Sequence, residues 1–127
     1  MKNYFLNGMT ELIVLFFLNQ KDCYVYEITK AVSQLSDELL VISQNTIYTA
    51  AYKLETEGLI SEYSKLVGRK RTRVYYHIEP SGKEYLNELL SLYKVTYSGI
   101  EKMLKSNFPE SDSSESSSLL EKEDFKD

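Results

Sequence analysis

SQNTIYTAAYKLETEGLISEYSKLVGRKRTRVYYHI, residues Ser43–Ile78, contains a helix, a stop, a strand, a basic loop and a second strand in immediate succession. Ser43 is suited to the N-cap, because its side-chain oxygen can accept from a free amide of the first turn. Ile47, Ala50, Ala51 and Leu54 then recur at helical spacing, and Gly58 supplies a C-terminal stop, so the helix is expected over Ser43–Glu57. Leu59-Ile60 opens an extended segment, and Val74–Ile78 is a run of strand formers. Between them Gly68-Arg69-Lys70-Arg71-Thr72-Arg73 places four cationic side chains at an expected hairpin tip. A helix followed by a basic hairpin is the nucleic-acid-facing half of a winged helix-turn-helix.

Working outward, helix one is expected over about Asn7–Gln20, with Leu12, Leu15, Phe16 and Phe17 on its buried side. Helix two is expected over Tyr24–Leu35, where Val25, Ile28, Val32 and Leu35 step by three and four. Ser36–Ile42 connects it to the third helix. A last helix starts at Pro80, a residue tolerated where the first-turn amide has no partner, and runs to about Ser106. Leu86, Leu90, Tyr93, Tyr97, Ile100 and Leu104 form a heptad seam along it, flanked by a stripe of Tyr85, Leu89, Leu92, Thr96 and Met103. One stripe can pack on the chain's own helices; the other calls for the same helix of a twin chain, in a two-fold homodimer. The expected class is therefore mainly α (α+β), a winged helix-turn-helix over 1–79 with a long C-terminal dimerisation helix over 80–106. Residues 107–127, with the run Ser111–Ser118, are expected as an acidic, Ser-rich disordered tail.

Charge distribution agrees with a nucleic-acid partner although the net charge is −4. The 107–127 segment sums to −5, which leaves +1 on the rest, with four of its cations in the expected wing. At 127 residues the chain is one small domain, with no apolar run long enough to span a bilayer. Ile13–Leu18 lacks the basic flank and cleavage-like site of a signal peptide, so a cytoplasmic location is expected. One cysteine, Cys23, and one histidine, His77, make neither a disulfide nor a zinc site. Cys23 reads as a buried, inert thiol and His77 as a hairpin surface residue. No paired carboxylates, nucleophile–base constellation or phosphate-cradling glycine loop can be placed, which argues against an enzyme; no cofactor and no metal are expected.

A recognition helix must offer donors and acceptors to base edges from its first turns. Gln44 and Asn45 can read adenine edges, Thr46 and Thr49 can meet phosphate or a thymine methyl, and Tyr48 and Lys53 suit phosphate. The amides behind Ser43 add attraction for an anion. Arg69, Lys70, Arg71 and Arg73 can follow the backbone into the minor groove, and Tyr24 supports the start of helix two at the backbone. A rival reading is a winged-helix protein-interaction module without specific DNA binding. It predicts weak, sequence-independent DNA affinity and a heteromeric complex.

Several motifs together resemble the PadR family of transcriptional regulators across residues 5–106. Tyr24-Val25-Tyr26-Glu27-Ile28 corresponds to the family's Tyr-Gly-Tyr-Glu-Ile. Asn45-Thr46-Ile47-Tyr48, Lys53-Leu54-Glu55 and Gly58-Leu59-Ile60 follow its Gly-Thr-Leu-Tyr, Arg-Leu-Glu and Gly-Leu-Ile. Arg73–Gly82 follows its wing strand and the start of its last helix. The resemblance implies a homodimeric repressor of the short subgroup, with an aromatic-lined pore at the dimer interface and a small hydrophobic or aromatic effector. Tyr93 falls where the family usually has tryptophan. Leu86, Leu89, Leu90 and Tyr97 would line that pore with Leu12, Phe16 and Asn19. Asn45 in place of glycine and Tyr52 in place of leucine imply a different operator preference.

Overall fold

The computed structural model describes residues 9–110, and the expected helical start at Asn7 and most of the acidic tail lie outside them. Among the described residues there are four helices and one hairpin: α1 (Thr10–Leu18), α2 (Val25–Leu35), α3 (Gln44–Thr56), β1 (Ile60–Leu66), β2 (Thr72–Ile78) and α4 (Pro80–Leu104). This is a winged helix-turn-helix of the α+β class. The chain divides into two compact units that part between Leu90 and Ser91.

The first unit is built around one core. Val14, Leu15 and Leu18 of α1, Val25, Ile28 and Val32 of α2, and Ile47, Ala51 and Leu54 of α3 are buried together with Ile60, Tyr76, Ile78 and Leu86. Helical spacing selected the α3 face, because only one side of that helix is apolar. On α1 it did not. The run Glu11–Leu18 is apolar nearly all round, so periodicity could not choose a side: Val14 and Leu18 are in the core, while Phe16 is 43% exposed. Leu35, expected on the buried face of α2, is 72% exposed because the helix ends there and the chain turns away.

Local chemistry sets the boundaries. Ser43 Oγ accepts from the Thr46 amide at 3.2 Å and starts α3. Gly58 ends it with φ +76°, a left-handed conformation that costs glycine nothing. The hairpin is antiparallel, with Ile60 opposite Ile78 and Leu66 opposite Thr72. Thr72 and Arg73 belong to β2 and not to the tip, a correction to the sequence reading. The tip closes earlier, where the Val67 amide donates to the Arg71 carbonyl at 3.0 Å. A bridge between Cys23 and Tyr76 joins the α1–α2 turn to the free edge of β2.

The end of the hairpin approaches the start of α4 closely. A Cβ on Gly82 would lie 2.2 Å from the Leu59 carbonyl oxygen and 2.8 Å from Ile78 Cγ1, so only glycine fits. In the second unit α4 continues to Leu104. Leu92, Tyr93, Val95, Tyr97, Ile100, Met103 and Leu104 are all exposed in the single chain. Tyr93 and Tyr97 stack one turn apart, centroids 6.2 Å from each other.

Candidate nucleic-acid interface

Burying Ile47, Ala50, Ala51 and Leu54 turns the other side of α3 outward, and Gln44, Asn45, Tyr48, Thr49 and Tyr52 are exposed along it. The structure keeps the first-turn hydroxyls ordered. Ser43 Oγ and Thr46 Oγ1 are 2.9 Å apart, and Thr49 Oγ1 donates to the Asn45 carbonyl at 2.9 Å. Each retains lone pairs to accept from an incoming group. Lys53 is placed differently from its helix mates. Its Nζ lies 2.9 Å from Glu11 Oε2 of α1, a pair that raises the ammonium's affinity for its proton.

Arg69, Lys70 and Arg71 project from the tip and are exposed. Arg73, one turn of the pleat down β2, is not part of that group. Its guanidinium lies over the Tyr24 ring at 4.0 Å, a stacking that desolvates one face of the cation and fixes the side chain. Tyr24 meets Tyr75 edge-on at 5.4 Å, Tyr75 stacks with Tyr63 at 5.8 Å, and Lys65 Nζ stands 5.3 Å from the Tyr75 ring. Below this stack Asp22 accepts from Tyr63 Oη at 2.7 Å and pairs with His77 Nδ1 at 2.8 Å. Burial pushes the Asp22 carboxyl up, but the Tyr63 and His77 contacts outweigh it and hold it below the ordinary carboxylate range. Both strands of the wing are thereby tied to the turn that precedes α2.

Sequence reasoning placed Tyr24 and Arg73 at the interface but missed the contact between them, and missed Asp22, Tyr63 and Tyr75 altogether. The signal was available. In the observed register Tyr63 faces Tyr75 and Lys65 faces Arg73, so an alternation of two puts all four on one side of the hairpin. His77 joins that alternation two residues further along β2.

The residues expected to line an effector pore divide between the units. In the first, Leu12, Leu89 and Leu90 are half-buried against the core, Asn19 and Phe16 are exposed, and Leu86 is 3% exposed within the core itself. Leu86 is thus engaged by its own domain. Tyr93 and Tyr97 lie in the second unit. Cys23 is buried, and burial pushes its thiol up to about 11, so it carries almost no thiolate near neutrality. Among the described residues no cluster of His, Cys, Asp or Glu is arranged to hold a metal, and no helix is long and apolar enough to cross a membrane.

A capped helix with a polar outer face, set beside a cationic antiparallel hairpin, defines a winged-helix regulator in class. The model of the transcriptional regulator PadR-like family matches residues 14–88, and the chain belongs to that family. An uncharacterized protein of Lysinibacillus sphaericus is 33% identical over 85 residues, 67% of this chain and 78% of that one. The structure of a transcriptional regulator from Clostridium thermocellum superposes with a TM-score of 0.74 at 33% identity, covering 83% of this chain and 99% of that one. Bacillus subtilis PadR, solved in complex with operator DNA, gives a TM-score of 0.59 at 25% identity over 63% of this chain and 45% of its own. The protein is a PadR-family transcriptional regulator and not an enzyme.

Proposed function

We propose that the protein is a sequence-specific DNA-binding repressor that acts in the cytoplasm as a homodimer and is released by a small hydrophobic or aromatic effector. The observation that carries the DNA reading is the exposure of Gln44, Asn45, Tyr48 and Thr49 on α3 together with that of Arg69, Lys70 and Arg71 on the wing that follows it. The Bacillus subtilis relative solved on operator DNA supports the same reading. Gln44 and Asn45 approach base edges, while Ser43, Thr46, Tyr48 and Thr49 meet the backbone. The tip cations follow the flanking minor groove, and Arg73, held on Tyr24, presents its outer edge to phosphate.

Dimerisation through α4 follows from its unpartnered apolar residues between Leu92 and Leu104, which a second copy of the same helix would cover. In that dimer two copies of α3 enter successive major grooves about 34 Å apart. Residues 1–79 then serve as the DNA-binding domain and 80–106 as the dimerisation helix. Tyr93 and Tyr97, exposed on the second unit, are the aromatic groups offered to an effector. An effector regulates only if it prefers a dimer geometry unsuited to the operator spacing.

The test is salt-dependent binding to a duplex carrying the gene's own upstream region, against scrambled DNA of equal length. A preference of about 10³-fold or more at physiological salt is expected. Equal binding to both duplexes would leave an electrostatic patch without sequence readout, and binding to neither would favour the protein-interaction alternative.

A further inference from the structure

Lys53 lies on the flank of α3 that faces α1, beside a groove of about 300 Å³ lined by Thr10, Glu11, Thr46, Thr49, Ala50 and Lys53. The Lys53 ammonium is the group in this groove that suits a phosphate oxygen. Glu11 puts a carboxylate in the same groove. That carboxylate is not a swinging rim charge: its side chain is 22% exposed against 59% for Lys53, and the Tyr85 hydroxyl donates to its other oxygen at 3.3 Å. Tyr85 sits in the second turn of α4, so one carboxylate joins α1, α3 and the base of α4.

We propose that Glu11 is a positioning residue for DNA binding: its carboxylate, held by Tyr85, keeps the Lys53 ammonium out of the phosphate-binding set of α3. The inference rests on the DNA-facing reading of α3. Its physical basis is charge neutrality. DNA affinity falls with salt in proportion to the number of phosphates neutralised, with a slope near −0.9 for each. A lysine paired at 2.9 Å with a fixed carboxylate adds no net charge to that number. Any phosphate that reaches Lys53 also meets Glu11. Removing the negative charge while keeping the shape should therefore bring Lys53 into the set and make the groove accept an anion.

The experiment compares the full chain with Glu11→Gln and with Glu11→Gln/Lys53→Gln for binding to a random-sequence duplex across a salt series. Glu11→Gln should steepen the slope by up to about 0.9, equivalent to about eightfold tighter binding at 0.1 M salt if the curves meet at 1 M. The double variant should return to the parental slope, because it restores neutrality without the pair. If Lys53 already contacts phosphate despite Glu11, the single variant will keep the parental slope and the double variant will lose about 0.9, and the proposal fails.

Failure of the DNA reading is distinguishable, since then the parent itself binds no duplex and both conclusions fall. A measurement independent of the variants' folding is the side-chain NMR titration of Lys53 in the parent. A proton affinity above the ordinary lysine value supports the pairing, and an ordinary value overturns it.

Discussion

Replacing Gly82 by alanine tests how the wing is joined to α4. The added Cβ would stand 2.2 Å from the Leu59 carbonyl oxygen, 3.2 Å from its carbon and 2.8 Å from Ile78 Cγ1. An ordinary carbon–oxygen contact is about 3.3 Å, so the start of α4 must move by about 1 Å. The obstacle is backbone, which cannot rotate out of the way. The same Leu59 carbonyl accepts from the Glu79 amide at 3.0 Å, so displacement also stretches a hydrogen bond at the strand–helix junction. Overpacking of this kind costs about 1–3 kcal/mol, and a weakened buried hydrogen bond adds about 0.5–1.5. Alanine's better helix propensity returns at most about 1 kcal/mol. The net expectation is a loss of about 2 kcal/mol. Gly99, on the same helix, has no atom within 4 Å of an added Cβ, so Gly99→Ala should instead stabilise by about 0.5–1 kcal/mol. Urea unfolding of both variants at one protein concentration reads the two signs directly, provided m is unchanged. A Gly82→Ala protein within about 0.5 kcal/mol of the parent would refute the close-approach reasoning.

Three further outcomes are expected. Changing Arg69, Lys70 and Arg71 together to alanine should flatten the salt slope of DNA binding by up to about 2.7, and an unchanged slope would remove the wing tip from the interface. Stability should fall on the alkaline side, because burial raises the Cys23 thiol to about 11 and the Tyr76 phenol to about 12. Both protonated forms are favoured by the fold, so this contribution is complete below the unfolded thiol value of about 8.5 and is lost as pH climbs toward 11. Cys23→Ala should remove the first part of that loss in urea midpoints measured from pH 7 to 11. Titration with planar aromatic compounds should show weaker binding to Tyr93→Ala than to the parent, and equal affinity would place any effector site elsewhere.

The sequence alone determined the elements that depend on neighbours along the chain. Ser43 and Gly58 bracket α3 through a first-turn hydrogen bond and a positive φ, both local requirements. The single apolar stripe of α3 chose its own buried face, and that choice left Gln44, Asn45, Tyr48 and Thr49 outward. Residues Val74–Ile78 announced β2 by composition, and the basic tip followed from the turn between strands. The family motifs added the order of these parts.

What only the tertiary structure decided concerns choices that a period cannot make. The apolar run Leu12–Leu18 of α1 has no preferred side until α3 and β2 cover one, so Val14 and Leu18 were buried where Phe16 was expected. Contacts between residues far apart in the chain were equally invisible. Asp22 meets Tyr63 and His77, Glu11 meets Lys53 and Tyr85, and Arg73 covers Tyr24, each pair brought together by strand register or helix packing. Those contacts change the chemistry of the site: a lysine read as a phosphate ligand is ion-paired with a carboxylate, and an arginine read as a tip charge is anchored on an aromatic ring. Residue types fix what a side chain can do; only the packing fixes which partner it meets.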